Sequence, residues 1–443
     1  MNTPSSGKAD AASVKTEDLI QENSITLDSP GAIDTLVSRM ADAKYVLLGE
    51  ASHGTHEYYT LRSKISKRLI ERHGFSFIAV EGDWPPCYQV NRYVKHYEGS
   101  GRGAYEVVKN FRRWPSWMWA NWETVALIEW MHNHNAMLSK NQMAGFYGLD
   151  IYSLWESFEA IIQYLSVKDP EAAKVAKKAM ECFEPYNDKD GMAYGTAAKM
   201  LPEMCEKHVI ALLKELRIKM PSYDHDRETV FSAGQNARVI EEAERYYRQM
   251  VRPGPASWNL RDRHMATTLE ELMNFHGPDA KAIIWEHNTH IGDARATDMW
   301  TRGMTNTGQI LKERHGHEGV FAVGFGSFDG TVMAAKTWGG KAEVMEMPSA
   351  MHGSWEHLMH ESRVGDCIVF MNAEMREKTR DHSLGHRAIG VVYDPDLEKG
   401  NYVPSKIAER YNAFIFVDRT KALHPVSIHE DIFRMPDTFP FGI

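Results

Sequence analysis

Three stretches of the chain place acids and imidazoles directly after an apolar run. Gly49-Glu50-Ala51-Ser52-His53-Gly54 follows Tyr45-Val46-Leu47-Leu48, Glu81-Gly82-Asp83-Trp84 follows Phe77-Ile78-Ala79-Val80, and Glu286-His287-Asn288-Thr289-His290 follows Ala282-Ile283-Ile284-Trp285. Imidazole titrates near neutrality and can take a proton from water, and a carboxylate beside it orients the ring and stabilises the imidazolium. Glu50, His53, Glu81, His287 and His290 are therefore candidates for proton transfer if the three segments meet. Singly, each is what any strand carries as it emerges into solvent. Jointly, three strand ends that deliver acids or imidazoles, one of them with paired histidines, point to a built site. Arg62, between the core positions Leu61 and Ile65, offers a fixed fork of donors for a carboxylate or an oxyanion if it faces that edge, and a surface salt bridge if it does not. Trp84, beside Glu81 and Asp83, is a candidate wall for a substrate pocket.

For these groups to converge, the apolar runs must be strands of one sheet. Short apolar segments bounded by turn signals recur at Tyr45–Leu48, Phe77–Val80, Ala144–Tyr147, Ala282–Trp285, Val320–Phe325, Ile389–Tyr393 and Phe414–Val417, the pattern of buried strands. Tyr58, Leu61, Ile65 and Leu69 follow helical spacing between the first two, and Gly74 sits at the helix C-cap position. The fold expected is α/β: a mostly parallel central sheet flanked by helices, whose strand C-termini share one edge. From Ile151 to about Phe275 the pattern turns helical, with stretches at Ala198–Met220, Arg227–Met250 and Leu260–Phe275, which reads as a large helical insertion. The division expected is a flexible tail over 1–22, the first part of the core over 23–150, the insertion over 151–275 and the second part of the core over 276–443. Trp119, Trp122, Ala126 and Trp130 share a helical face and read as core.

Composition narrows the function. Lys and Arg number 51 against 60 Asp and Glu, a formal charge of −9 in 443 residues, which argues against a nucleic-acid or anionic-membrane binder. The N-terminus lacks an apolar signal region, and no stretch approaches roughly 18 uninterrupted apolar residues. Four scattered cysteines, Cys87, Cys182, Cys205 and Cys367, suggest neither a disulfide framework nor a thiolate zinc site, so a cytoplasmic location is expected. There is no G-x-S-x-G elbow, phosphate loop, G-x-G-x-x-G at the first strand or H-E-x-x-H helix. His357 and His360 could share a helix face but lack an evident third ligand, and read as structural.

The ordered set of Gly49-Glu50-Ala51-Ser52-His53-Gly54-Thr55, Val80-Glu81-Gly82-Asp83-Trp84, Trp258-Asn259-Leu260-Arg261-Asp262, Trp285 through Ala296 and His386-Arg387-Ala388-Ile389-Gly390 resembles the erythromycin esterase family, over about Ala41 to Leu423. The resemblance implies an α/β core with inserted helices and a hydrolase that opens the lactone ester of macrolide antibiotics without a serine nucleophile. It places the general base at His53, the neighbouring acid at Glu50, the acid of the second strand at Glu81, the helix arginine at Arg62 and the paired late histidines at His287 and His290.

The leading expectation is thus a carboxylic ester or macrolactone hydrolase that activates water with His53, requires no metal or other cofactor, and takes a small-molecule ester or lactone as its partner, with no nucleic acid and no membrane. Glu50 or Glu81 would orient the base. Arg62 with His287 or His290 would stabilise the oxyanion. Two alternatives stand beside it: a metal-dependent hydrolase using the same His and Glu cluster, and a non-catalytic small-molecule binder. The oligomeric state is left open.

Overall fold

Tyr45–Leu48 and Ala282–Trp285 are buried at every position, so both faces of these strands need cover, and helices supply it. The computed structural model describes residues 15–186, 192–200, 205–219 and 226–426. Its strands are β1 (Ser24–Thr26), β2 (Tyr45–Leu48), β3 (Phe77–Asp83), β4 (Gly145–Asp150), β5 (Ala282–Trp285), β6 (Val320–Ala334), β7 (Glu343–Met347), β8 (Cys367–Phe370), β9 (Leu384–Arg387), β10 (Tyr402–Ser405) and β11 (Ala413–Thr420). The main sheet runs β1-β8-β11-β6-β2-β5-β3-β4, with β7 also on β6. From β11 to β4 every neighbouring pair is parallel. β1 and β8 add an antiparallel edge, and β7 pairs antiparallel with β6.

Strand period two sorts the core into two layers. Val46, Leu48, Ile78, Val80, Ile283 and Trp285 face one apolar cluster, and Tyr45, Leu47, Phe77, Ala79, Ala282 and Ile284 face the other. A third cluster, whose buried members run from Ile151 to Met250, contains none of the strand residues. Among the described residues no strand interrupts the chain between β4 and β5. The fold class expected from sequence is the one observed.

Several local expectations are corrected. Ile389–Tyr393 is apolar and mostly buried but makes only isolated bridges, Ser52 to Ile389 and Ala335 to Val392. It is a loop packed across other strand ends, and the strand in this region is Leu384–Arg387, which pairs with β10. Part of the expected tail, residues 1–14, lies outside the described residues, whereas Thr16–Glu22 is a helix with Leu19 and Ile20 buried. The stretch Ala198–Met220 also falls partly outside them, and the helices described there are Met192–Met200 and Glu206–Lys219. The Trp122–Asn135 helix buries Thr124, Leu127, Ile128 and Met131, while Trp122 is 52% exposed and stacks on Tyr105. Cys182 and Cys205 form a disulfide, their Cα atoms 5.7 Å apart. The expectation of no disulfide fails because loop length between two cysteines does not report their distance in space, and the argument for a reducing compartment lapses with it. No helix among the described residues is long and apolar enough to cross a membrane.

The loop after β2 is held by backbone. The Gly54 carbonyl accepts from Met333 N and Leu423 N, both at 3.0 Å, and Asn288 N donates to the Glu50 carbonyl at 2.9 Å. A Cβ at Gly54 would overlap the Met333 carbonyl, which has no side-chain freedom to yield. Gly54→Ala should therefore cost about 1–3 kcal/mol of stability, the usual penalty of overpacking. Chemical denaturation measures it, and an unchanged midpoint would show that the loop is not clamped there.

Candidate active site

Because β2, β5, β3 and β4 are parallel neighbours, their C-terminal ends line one edge. Glu50, Glu286 with His287, Glu81 and Asp150 sit at those ends in that order. The His56–His73 helix brings in Arg62, and the Ala256–His276 helix brings in Arg261 and Asp262. Glu50, His53, Arg62, Glu81, His287 and His290 are each at most 2% exposed. Charged groups that dry must be paired or neutral.

Glu50 uses both oxygens. Oε1 accepts from His53 Nδ1 at 2.9 Å and Oε2 from Arg62 Nη2 at 2.6 Å. The Arg62 guanidinium lies over the rings of Tyr59 and Trp285, 4.4 and 4.6 Å from their centroids, contacts worth about 2 kcal/mol or more when desolvated. Arg62 therefore points inward, and its partner is Glu50. A carboxylate on Nδ1 fixes the proton there, which leaves Nε2 of His53 as the lone-pair nitrogen. That nitrogen is buried and has no hydrogen-bond partner.

His287 has the opposite arrangement. Its Nδ1 accepts from Thr289 N at 3.3 Å and meets Thr289 Oγ1 at 2.8 Å, so the ring proton belongs on Nε2. That atom too makes no hydrogen bond. Burial above all holds His287 well below the usual imidazole range, against the pull of Glu81 and of the Ala51 backbone, and the ring stays neutral. The His53 and His287 rings are 5.0 Å apart at 43°. One presents an acceptor and the other a donor.

Behind them lies a buried ion cluster centred on Arg261. It donates to Glu81 Oε1 at 2.5 Å and to both Asp150 oxygens at 3.0 and 2.7 Å, and its Nη1 is 3.0 Å from His290 Nε2. The second Glu81 oxygen accepts from His287 N at 2.8 Å, so Glu81 holds the His287 backbone and not the His53 ring. His290 Nδ1 lies 2.9 Å from Asp262 Oδ1, and the ring stacks on Trp258. Burial opposes charge on His290, yet Asp262 and Glu81 outweigh it and hold the group up at about 9. Burial likewise opposes the Glu81 carboxylate, and His290, Arg261 and His53 hold it well below the usual range. With His290 Nδ1 on Asp262 and its Nε2 3.6 Å from Glu81 Oε1, His287 is the member of the pair whose Nε2 has no hydrogen-bond partner.

Arg261, Asp150, Asp262 and Glu286 were not among the residues expected from sequence to act. Asp150 follows the same rule as Glu50 and Glu81, an acid at a strand's C-terminus, but a strand read as Ala144–Tyr147 stops short of it. Arg261 and Asp262 sit mid-helix and carry no local signal beyond their place in the family motif. On the far side of the His287 loop, His386 Nδ1 meets Glu356 Oε1 at 2.5 Å, and Asn288 Nδ2 lies 3.2 Å from His386 Nε2. His360 pairs with Asp418 at 2.6 Å and stacks on Phe328, which gives it a structural role. Trp84 is not brought to the cluster. Its indole donates to Ser232 and stacks with Tyr88 and Tyr147, because Trp84 opens a helix whose apolar side packs against the Arg227–Met250 helix. It belongs to the core.

Glu286 is fully buried with neither carboxyl oxygen hydrogen-bonded. Burial pushes it up to about 8, with Glu81 and Asp262 adding and His290 and Arg261 opposing. A carboxyl raised in the folded state binds a proton that the unfolded chain has released, so stability falls as pH rises from about 4.5 to about 8. Glu286→Gln should remove that slope, gaining on the wild type by roughly 1 kcal/mol per pH unit across the window. Denaturation midpoints at pH 5 to 8 test this, and parallel profiles for the two proteins would contradict it.

The sequence model of the erythromycin esterase family matches residues 70–420. The chain is 22% identical over 288 residues to YbfO of Bacillus subtilis (strain 168), a protein named as a candidate hydrolase; the match spans 61% of this chain and 62% of that relative's length. A crystal structure of a succinoglycan biosynthesis protein superposes with a TM-score of 0.74 at 20% identity, covering 94% of this chain and all (100%) of that one. A Bacillus cereus protein of known structure gives 0.74 at 19%, over 93% and 98% of the two chains. The mutant erythromycin esterase EreC in its open conformation gives 0.63 at 15%, over 87% and 93%. By the extent of the family match and the order of its motifs, this chain belongs to the erythromycin esterase family.

Proposed function

We propose that the chain is a hydrolase of carboxylic esters or lactones in which His53 is the general base and water the nucleophile. What supports this reading most is the pair of neighbouring imidazoles whose hydrogen-bond partners assign them complementary protons, His53 Nε2 as acceptor and His287 Nε2–H as donor. Water held between His53 and the substrate carbonyl gives its proton to Nε2 as its oxygen attacks the carbonyl carbon. The oxyanion that forms accepts from His287 N–H, and the His53 imidazolium returns the proton to the departing alkoxide. Glu50 steadies the imidazolium, and Arg62 keeps Glu50 ionised and in place. A neutral N–H donor suits this work because it need not surrender its proton to an oxyanion.

Family membership favours a lactone of the macrolide class as the first substrate to try. The cluster is closed to solvent, so a substrate of that size requires the site to open, and the family likeness includes an esterase structure described as open. A metal on the same cluster is the less favoured reading. The donor atoms of Glu50, Glu81 and His290 are occupied by protein partners, His53 Nε2 and His287 Nε2 remain free, and the bare Glu286 carboxyl beside them is held in its protonated form by burial.

Incubation with a macrolide and a panel of simple esters and lactones, followed by mass spectrometry, should show the gain of one water on at least one of them. His53→Asn should slow that reaction by about 10² to 10⁴-fold, and His287→Ala by about 10² to 10³-fold, with folding intact. Full activity in His53→Asn would remove the general base from the account. No mass gain across the panel would leave a binding protein as the better reading.

A further inference from the structure

Away from the proposed catalytic cluster, three ligand-type side chains from three parts of the chain converge at the surface. His56 is the first residue of the His56–His73 helix, Glu123 lies in the first turn of the Trp122–Asn135 helix, and His424 follows β11. His56 Nδ1 and His424 Nδ1 approach the same oxygen, Glu123 Oε1, at 2.5 and 2.6 Å. The two rings stand nearly perpendicular, 84° with centroids 5.2 Å apart. All three donor atoms lie within 4.8 Å of one another.

Backbone holds this arrangement independently of the side chains. His56 N donates to the Lys421 carbonyl at 2.8 Å, Trp122 N to the His424 carbonyl at 2.9 Å and Val426 N to the Ala120 carbonyl at 2.9 Å. The segment after β11 is thus stitched to both helix starts, which holds the main chain of His56, Glu123 and His424 together and leaves the rings free to adjust around an ion.

We infer that His56, Glu123 and His424 form a binding site for a divalent transition cation, zinc foremost. Two imidazoles and one carboxylate are the mixed nitrogen and oxygen set that zinc takes, and such three-ligand sites keep a fourth position for water. The exposure suits an open position: the side chains of Glu123, His56 and His424 are 4%, 33% and 61% exposed. Magnesium and calcium, which prefer all-oxygen shells, do not fit this set. Two helix N-termini nearby disfavour a cation, but only weakly at a solvent-exposed position, an effect small against metal–imidazole bonds. As hydrogen bonds alone, the contacts require both rings to give their Nδ1 proton to one oxygen. A cation lets both present lone pairs instead. The bound ion would tie the chain after β11 to the helix that begins two residues past Gly54, bracing the loop that carries His53. The inference does not depend on the hydrolase reading.

The test is zinc binding by the full chain, stripped with a chelator and dialysed, using calorimetry with zinc chloride and elemental analysis, with magnesium chloride as control. One zinc per chain is expected, with a raised melting temperature and no response to magnesium. His424→Ala removes an exposed side chain and should fold normally while binding zinc at least about tenfold more weakly; Glu123→Gln should lose the site as well. Cobalt in place of zinc should give visible absorption bands that vanish in His424→Ala. Failure of the wild type to bind zinc, or undiminished binding and unchanged cobalt bands in His424→Ala, would overturn the assignment.

Discussion

Glu50 carries two obligations in a place that water does not reach. One oxygen accepts from His53 and the other from Arg62, and at 2% exposure neither bond can be replaced by solvent. Removing one partner of a buried ion pair typically costs about 3–5 kcal/mol, since the other charge is left stranded. The His53 ring is consequently held in one orientation and one tautomer, and everything proposed for its free nitrogen follows from that. Arg62 is in turn wedged between Tyr59 and Trp285, so the arrangement is anchored in the apolar layer beneath the sheet.

The ion cluster behind His287 does for the donor what Glu50 does for the acceptor. Arg261 gathers Glu81 and Asp150 from neighbouring strand ends, and Glu81 passes the restraint on through its bond to the His287 backbone. Asp262 and His290 form a second pair within reach of the first. Glu286, with no partner, avoids the cost of a bare buried charge by keeping its proton. Opposite charges thus meet along one sheet edge, and the single acid left over is neutral. So many mutual restraints suit the proposed reaction, whose donors would have to be aimed in advance.

Much of this was legible in the chain. Tyr45–Leu48, Phe77–Val80 and Ala282–Trp285 read as buried strands because each is a short apolar run closed by a turn, and parallel strands send their ends to one edge. That reasoning brings Glu50, His53, Glu81, His287 and His290 together without coordinates, and Gly74 marks the end of the helix that carries Arg62. What escaped was pairing. Arg261 meets Asp150 and Glu81 across long stretches of sequence, and no local pattern states which of several acids a buried arginine will choose. The placement of Trp84 escapes sequence for a related reason: neighbourhood to Glu81 along the chain says nothing of side, and the helix it opens turns the indole into the core. Ile389–Tyr393 shows that an apolar run can cover strand ends as readily as join a sheet.

The central claim is that His53 and His287 hold opposite tautomers and that His287 remains neutral. Nitrogen-15 NMR of the protein labelled in its histidine rings, with His53→Asn and His287→Ala used to assign the signals, measures this directly. The account predicts that the neutral His53 ring carries its proton on Nδ1 with Nε2 bare, and that at pH 7 His287 is neutral with its proton on Nε2. Finding His287 as an imidazolium, or both rings protonated at the same nitrogen, would contradict it.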